Sequence, residues 1–535
     1  MASLSIEIPS ITSSQVDEVC PRTNLEFPRL EVMPSYEEFF TNYLLPNRPC
    51  IFGSAVTAKW QSRQDWLKPV DGSPHLEFFK ENFGDITVPV ADCGKEEFSS
   101  HPKEDMTLSE YVDYLVQYKQ DGYPQHERCL YLKDWHFIRD CPDYHAYTTP
   151  VYFSSDWLNE FWDIRERIHD DYRFVYIGPK GSWTPFHADV FRSYSWSANI
   201  CGRKKWIFFP PGEEENLKDK FGNLMYDVNA NIDPSRYPKA NQVRQKLEVV
   251  QESGEIIFVP SGWHHQVINL EDTISINHNW LNGCSVMRCW QFIKSSLVDV
   301  EREIDDCKDM ENWHQQCQII LKASGGVDYT EFYKFMSTIA RHRITAIEYY
   351  IENTDTKQAV TDHTVLRNGD ISANNDSTDT KQAVTDHTVL SNSDISDNSD
   401  TTVTNKKQTD TDLSSKRDIS ANNNRSTDTD FSSNSDISAN NGSTDLKSLE
   451  KNSSKNDHGF QILDLCKTRK QCENKVDDKR HWRYLNVHHG VFDLRRVKDI
   501  LIDMSQDFNF QQICNKELNI EELLIEINCS IDKVT

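Results

Sequence analysis

Among 14 cysteines the sequence holds no Cys-x-x-Cys pair. Zinc modules are built on such pairs, and disulfide frameworks belong to short, cysteine-dense secreted chains, so both are excluded and the thiols read as reduced and intracellular. No apolar run approaches the roughly 20 residues of a membrane span, so no membrane partner is expected. The first residues, Met1-Ala-Ser-Leu-Ser-Ile-Glu-Ile-Pro9, lack a basic segment and a long apolar stretch, which predicts no secretory signal. Positive charge is scarce: 58 Lys and Arg stand against 84 Asp and Glu, a net charge of -26. A nucleic-acid binder needs a basic face, so no direct nucleic-acid binding is expected, and an acidic surface favours a basic partner. Apolar residues make up 37% of the chain and its mean hydropathy is -0.67, too little for 535 residues folded throughout. Together these predict a soluble protein of the cytoplasm, with the nucleus as the alternative, and with part of its length unfolded.

The shortage of apolar residues is concentrated in one block. From about 354 to 456 the chain is Ser, Thr, Asp, Asn and Lys, with Phe431 its only aromatic. The run Thr354-Asp-Thr-Lys-Gln-Ala-Val-Thr-Asp-His-Thr-Val-Leu366 recurs unchanged at 378–390, a period of 24, and an Asp-Ile-Ser triplet starts at Asp370, Asp394, Asp418 and Asp436. A solenoid of that period would need a packing face, and each copy offers only a few aliphatic side chains. The composition instead predicts a disordered, duplicated insertion.

Outside the block, 13 Trp and 26 Phe provide a sizeable core. Tyr36 to Leu44 has helical spacing and stops before Pro46; Trp60–Trp66 and Leu76–Phe83 also read as helices. Cys50–Phe52 is a short buried strand. Asp85–Val90 reads as a strand whose Pro89 suggests a sheet edge. Thr107 caps a helix with Glu110 in the capping-box position. Cys129–Lys133 is a strand and Trp157–Trp162 a short helix. The centre is strand-rich: Tyr172–Ile177, Lys205–Phe209, Glu255–Val259, then Trp263–Asn269 and Thr273–Trp280 joined by a Leu270-Glu271-Asp272 turn. Helices follow to 351, and Val491–Ile502 and Ile520–Ile527 are amphipathic at helical spacing. The expected organisation is a flexible tail over 1–30, a barrel domain over 31–286, helices over 287–353, the disordered insertion over 354–458, and helices over 459–535 that pack with 287–353. Short strands with tight turns predict a barrel or jelly roll.

The chemistry is concentrated in Gly178-Pro-Lys-Gly-Ser-Trp-Thr184-Pro-Phe-His187-Ala-Asp189, followed by Lys204, 17 residues after the histidine. On a strand His187 and Asp189 leave the same face. One more histidine makes the two-His, one-carboxylate set that holds non-haem Fe(II) with positions left open. A His-x-Asp pair alone has chance-level specificity, and a second, His169-Asp170-Asp171, has no downstream partner and reads as a surface element. His264 and His265 begin a later strand after the Pro260-Ser-Gly turn. Adjacent strand residues face opposite ways, so one of the two can complete the set. The bland alternative makes both of them packing histidines and Lys204 a surface lysine.

Thr184-Pro-Phe-His187-Ala-Asp189, Gly202-Arg-Lys204-Lys-Trp206, Phe258-Val-Pro260-Ser-Gly-Trp-His-His265 and Asn277-His-Asn-Trp280 together resemble the JmjC (Jumonji, cupin-like) Fe(II)- and 2-oxoglutarate-dependent oxygenases. The similarity extends to Leu45–Cys50 and Val151–Trp162, covers about 35–350 and returns in the last 50 residues. It implies an α+β fold: a double-stranded β-helix (a jelly-roll, cupin-like barrel) with flanking helices and a C-terminal helical region. It implies His187, Asp189 and His265 as metal ligands and catalytic residues, His265 being selected over His264 by its distance from Pro260. Lys204 and Thr184 are implied as contacts to the far carboxylate of 2-oxoglutarate, and Asn277 as a further polar contact. Relatives often carry Asn where this chain has Ser197.

The implied cofactor is Fe(2+), with 2-oxoglutarate and O2 as cosubstrates. The branch of the family most resembled implies a protein lysyl hydroxylase, a dioxygenase acting on a lysine side-chain carbon of the eukaryotic translation termination (release) factor. The alternative is N-methyl-lysine demethylation of histones. Jumonji demethylases mostly carry Glu where this chain has Asp189 and usually bring zinc-binding modules, which this chain lacks. A third reading, a non-catalytic cupin-like scaffold, sits poorly with an intact triad plus Lys204. Trp183, Trp196, Trp263 and Trp280 read as packing around the site.

Overall fold

The computed structural model describes residues 27–165, 171–369, 486–513 and 518–535, without the side chains of 353–369. The tail 1–26, His169 of the second His-x-Asp pair, and 370–485 with most of the repeat block lie outside the described residues; Asp171, the acid of that pair, is described and is not the surface group expected, being buried with His136 Nδ1 2.8 Å from its carboxylate. Residues 1–366 with 476–535 form one unit; the second unit, 367–475, has only 367–369 described.

Strands in chain order are β1 (Arg29–Leu30), β2 (Cys50–Phe52), β3 (Thr87–Asp92), β4 (Lys103–Thr107), β5 (Leu130–Trp135), β6 (Arg173–Gly178) and β7 (Trp183–His187). They continue with β8 (Tyr194–Cys201), β9 (Lys204–Phe209), β10 (Leu247–Gln251), β11 (Ile256–Val259), β12 (His264–Asn269) and β13 (Thr273–Trp280). The larger sheet runs β1-β2-β11-β8-β13-β6-β5-β3-β4 and the smaller β10-β9-β12-β7. Every pairing is antiparallel except β1 with β2. The two sheets face each other as a double-stranded β-helix with flanking helices.

Alternation explains the packing. On the larger sheet Val175, Ile177, Trp196, Ala198, Ile274 and Ile276 join one core with Phe39, Trp66, Tyr111 and Phe153 of the helical layer. Each fully buried aliphatic there contributes about 1.5–3 kcal/mol. The alternate positions, Tyr176, Ser195, Ser197, Asn199, Ser275 and Asn277, then face the smaller sheet. Ile51, Ile257 and Val259 of the larger sheet meet Trp206, Phe208 and Val267 of the smaller one in an apolar plug between them. The barrel is therefore apolar in one part of its interior and unusually polar in another.

Local expectations fare unevenly. Thr107 accepts from the Glu110 amide while Glu110 accepts from the Thr107 amide, a complete capping box on the Leu108–Gln120 helix. β3 is not an edge strand: it lies between β4, which sequence reading missed, and β5. Pro89 is tolerated because pairing with β5 begins only at Val90, so its missing N–H falls outside that ladder. The Leu270-Glu271-Asp272 turn does not close a hairpin; β12 lies in the smaller sheet and β13 in the larger. That corner packs onto Gly202 (φ +72°), where a Cβ would stand 2.2 Å from the Asp272 carbonyl oxygen. Residues 27–30, expected in the tail, pack on the barrel: the tilted rings of Phe27 and Phe208 lie 5.1 Å apart, and Arg29 of β1 pairs with Glu255.

The Val286–Glu303, Trp313–Gly325 and Tyr329–Gly369 helices share a core with Val487–Gln506 and Ile520–Asp532 through Trp290, Phe332, Met336, Leu494, Val497 and Ile527. The Tyr329 helix continues in backbone past 353, where the composition turns polar; the packed stretch before it supplies the nucleus from which propagation is easy. One polar seam crosses this core. Arg343 contacts Glu160 through two nitrogens at 2.9 Å each and Asp493 at 2.6 Å, while Trp157 donates to Asp493 at 3.2 Å. Burial pushes the carboxyls of Glu160 and Asp493 up, but the cations beside them win: Glu160 is held down to about 2, and Asp493 stays below its ordinary value through His489 and Arg343.

Candidate functional site

β7 and β12 are neighbours in the smaller sheet, and their register sets His187 opposite His265. The two rings stand 4.4 Å apart, centroid to centroid. β7 ends at His187, so Asp189 is not in the strand, but its backbone is still extended (φ -58°, ψ 154°) and the two-residue alternation carries it to the same side. One ligand atom from each of His187, Asp189 and His265 lies within 4.8 Å of the others.

Each member is oriented by a partner. His187 Nδ1 is 2.7 Å from the Pro185 carbonyl and His265 Nδ1 is 3.2 Å from the Trp263 carbonyl. A carbonyl only accepts, so in both rings Nδ1 carries the proton and Nε2 keeps its lone pair for a metal. Ser195 donates to Asp189 Oδ2 at 2.7 Å, which leaves the other oxygen available. Burial, then the neighbouring His265, push His187 down to about 4, so at neutral pH it is an uncharged, ligating imidazole. Two imidazoles and one carboxylate at this spacing fit Fe(II).

His264 faces the other way, against Phe186 and outside the barrel, and accepts at Nε2 from Arg192 at 3.0 Å. Burial and Arg192 hold it down to about 2. The turn after Asp189 carries two residues in left-handed backbone, Phe191 and Arg192, both at φ 54°. Each costs on the order of 1–2 kcal/mol. The turn is secured by the Arg192–His264 bond, by the guanidinium 4.9 Å over the Phe292 ring, and by Ser261 donating to the Arg192 carbonyl at 2.5 Å.

Lys204 begins β9 and is paired across β12 with Asn269; Thr184 pairs with Val267 on the same inner face. Lys204 is 2% exposed, and among the described residues no carboxylate lies within ion-pair distance; its Nζ donates to Tyr131 at 3.2 Å. Burial lowers it from the ordinary 10.5 to about 7. A buried ammonium with no acid beside it is costly unless a ligand brings the counter-charge. Ser197 Oγ is buried with no hydrogen-bond partner, and Asn277 on the adjoining strand donates to Ser275 at 3.1 Å. An enclosed cation with orphaned polar groups is what a dicarboxylate cosubstrate requires.

Sequence reading missed Tyr131, the hydroxyl partner of Lys204, and Ser195, the donor to Asp189. Both hold inward positions of strands whose outward residues are apolar, so a polar side chain on an otherwise buried strand was the available signal. Gly178 makes room for Tyr131: a Cβ there would lie 2.5 Å from its ring.

Comparison with known proteins places a cupin-like domain over residues 36–285. The chain is 56% identical over 317 residues to the 2-oxoglutarate and iron-dependent oxygenase JMJD4 of Gallus gallus, covering 59% of this chain and 74% of that protein. It is 52% identical over 342 residues to the protein of the same name in Danio rerio, covering 63% and 80%. The arginine-specific demethylase JMJ20 of Arabidopsis thaliana is 42% identical over 331 residues, covering 59% and 70%.

Proposed function

Because this chain belongs to the cupin-like JmjC family of iron- and 2-oxoglutarate-dependent oxygenases, we propose that it is a protein lysyl hydroxylase of the cytoplasm acting on the translation termination (release) factor. The observation that carries the oxygenase part of the reading is the convergence of His187, Asp189 and His265 within 4.8 Å, on the barrel face that also presents an unneutralised buried lysine; the lysine target rests on the family resemblance. Iron in such a site supplies the oxidising power that couples conversion of 2-oxoglutarate and O2 into succinate and CO2 to insertion of the second oxygen atom into a C–H bond.

The chain's own residues do the positioning. His187 and His265 offer Nε2 because their Nδ1 protons are committed to backbone carbonyls. Ser195 steers one Asp189 oxygen and frees the other. Lys204, with Tyr131 and Thr184, grips the far carboxylate of the cosubstrate and so fixes its other end toward the triad. Ser197 Oγ and Asn277 offer further hydrogen bonds along the cosubstrate.

A second reading, N-methyl demethylation, is favoured by one observation: the name carried by the Arabidopsis relative. Mass spectrometry of the release factor and of a methylated histone peptide after reaction separates the two. Hydroxylation adds about 16 Da to a lysine-containing peptide, whereas demethylation removes about 14 Da from a methylated one. Succinate should form with wild type and not with His187→Ala. Succinate release without a +16 Da product on the release factor would leave the oxygenase standing and overturn the substrate.

A further inference from the structure

Two residues of β5 oppose one of β6. Leu132 pairs with Ile177 and Trp135 with Val175, so Lys133 and Asp134 together face Tyr176. This is a β-bulge, a device that re-aims side chains and gathers beside active sites. Asp134 takes left-handed backbone to make it (φ 61°) and is held there by Lys103 and by the Tyr176 hydroxyl, which donates at 2.5 Å. Leu132 and Trp135 both point outward into the helical core. Two-residue alternation directs Lys133 inward on the same side as Tyr131, and the bulge is what turns Trp135 outward.

There Lys133 is 7% exposed, with its Nζ 5.9 Å from the centre of the Tyr131 ring. Lys204 stands at the same 5.9 Å from that ring, so Tyr131 neighbours two buried ammonium groups. No carboxylate is within ion-pair distance of Lys133 among the described residues. His101 is 3% exposed, packs edge-on against Trp183 at 4.8 Å, and leaves both ring nitrogens without a hydrogen bond. The Lys133 charge acts on His101, His187 and Lys204 alike and lowers each of them. Burial first, and Lys133 second, hold His101 down to about 4, making it a neutral donor and acceptor.

We propose that Lys133 and His101 form a second carboxylate-binding subsite beside the metal triad, distinct from the Lys204 grip. The matching is by charge and by count. One cation and one neutral N–H balance a single negative charge spread over two oxygens, whereas a phosphate dianion would leave charge unmatched in an enclosed space. The carboxylate comes from the cosubstrate or its succinate product, or from an acidic side chain of the protein substrate. The inference rests on Lys204 holding the far carboxylate only for the first source, and Lys204→Met serves as the control for it.

The test uses the full chain without metal and three probes: 2-oxoglutarate, succinate and N-acetyl-aspartate N-methylamide. Affinity is read by calorimetry and ligand-free stability by thermal melting. Lys133→Met should weaken at least one probe by roughly 10- to 100-fold, the worth of a charge-assisted contact, and His101→Phe by a few-fold. The ligand-free Lys133→Met protein should melt at the same temperature as wild type or higher, because an uncompensated buried charge has been removed. Loss confined to 2-oxoglutarate and succinate assigns the subsite to the cosubstrate; loss confined to the aspartate probe assigns it to the substrate. All three affinities within about twofold of wild type, or a lower melting temperature in Lys133→Met, would overturn the subsite; weakening in Lys204→Met alone would leave the cosubstrate grip intact without it.

Discussion

Arg343 and Lys204 are about equally withdrawn from water, at 1% and 2% exposure, yet their surroundings are opposite. Arg343 sits in the seam between helices with two carboxylates in contact, Glu160 and Asp493. Lys204 sits in the barrel with a phenol and no acid, and Lys133 nearby makes no ion pair, though the charge of the adjacent Asp134 partly offsets its burial. Burial acts against both charges. At Arg343 the carboxylates outweigh it and raise the guanidinium above its ordinary range; at Lys204 nothing does, and the ammonium falls to about 7. The difference separates architecture from function. A charge that the fold neutralises itself joins parts of the chain, here the Trp157–Asp163, Tyr329–Gly369 and Val487–Gln506 helices. A charge left unneutralised is stored for something that arrives from outside.

The largest effect should come from the seam. Asp493→Ala leaves Arg343 short of one carboxylate and Trp157 Nε1 without its acceptor, in a place water does not reach. A loss of about 3 kcal/mol is expected, the lower end for breaking a buried pair because Glu160 remains. Chemical denaturation measures it, and succinate release per folded molecule should be unchanged. A stability within 1 kcal/mol of wild type would erase the contrast between the two regions.

Lys204→Met should move stability the other way. The ligand-free protein is expected to melt higher, since the methionine fills similar volume without a buried charge. Affinity for 2-oxoglutarate should fall roughly 10- to 100-fold by calorimetry. A lower melting temperature in Lys204→Met would mean that the lysine holds the fold together, as Arg343 does.

A pH series sharpens the same point. The Lys204 ammonium titrates at about 7 when folded against 10.5 ordinarily. Between these values the unfolded chain holds a proton that the folded one has released, so rising pH favours the folded state across that window. The melting temperature of the ligand-free wild type, taken relative to Lys204→Met, should climb from pH 7 to about 10 and then level. Saturating 2-oxoglutarate restores the charge and should flatten the climb.

How much of this was legible beforehand follows from which forces act locally. Thr107 with Glu110, and His187 with Asp189, are contiguous patterns whose geometry is fixed by helix or strand periodicity, and they were readable. Lys204 and His265 were nameable through spacing and family resemblance. Tyr131, Lys133 and His101 were not, because their roles arise from which strands and loops the fold lays beside β5 and β7, and no local propensity announces that. Pro89 misled for a related reason: it reports the local absence of a partner, and a strand can lack one at its end while pairing further along. The Leu270–Asp272 corner looked like a hairpin because chain reversal is local, whereas the sheet each strand joins is not.

The smallest effect tests a paired contact inside the unpaired region. Ser195 donates to Asp189 at 2.7 Å, so the carboxylate enters the site already oriented, and the strained turn that follows it at Phe191 and Arg192 limits how far it can swing. Ser195→Ala removes the hydroxyl without enlarging the side chain. Because Asp189 is partly exposed, water can replace the lost donor, and stability should change by less than about 1 kcal/mol. Metal affinity should still fall by about tenfold, the lower bound for losing a partner that aims a ligand, as read by Mn(II) titration. The ratio of those two changes is the informative quantity. A large loss of stability with intact metal binding would place Ser195 with the Arg343 seam, among the groups that hold the chain together; the reverse places it with the site.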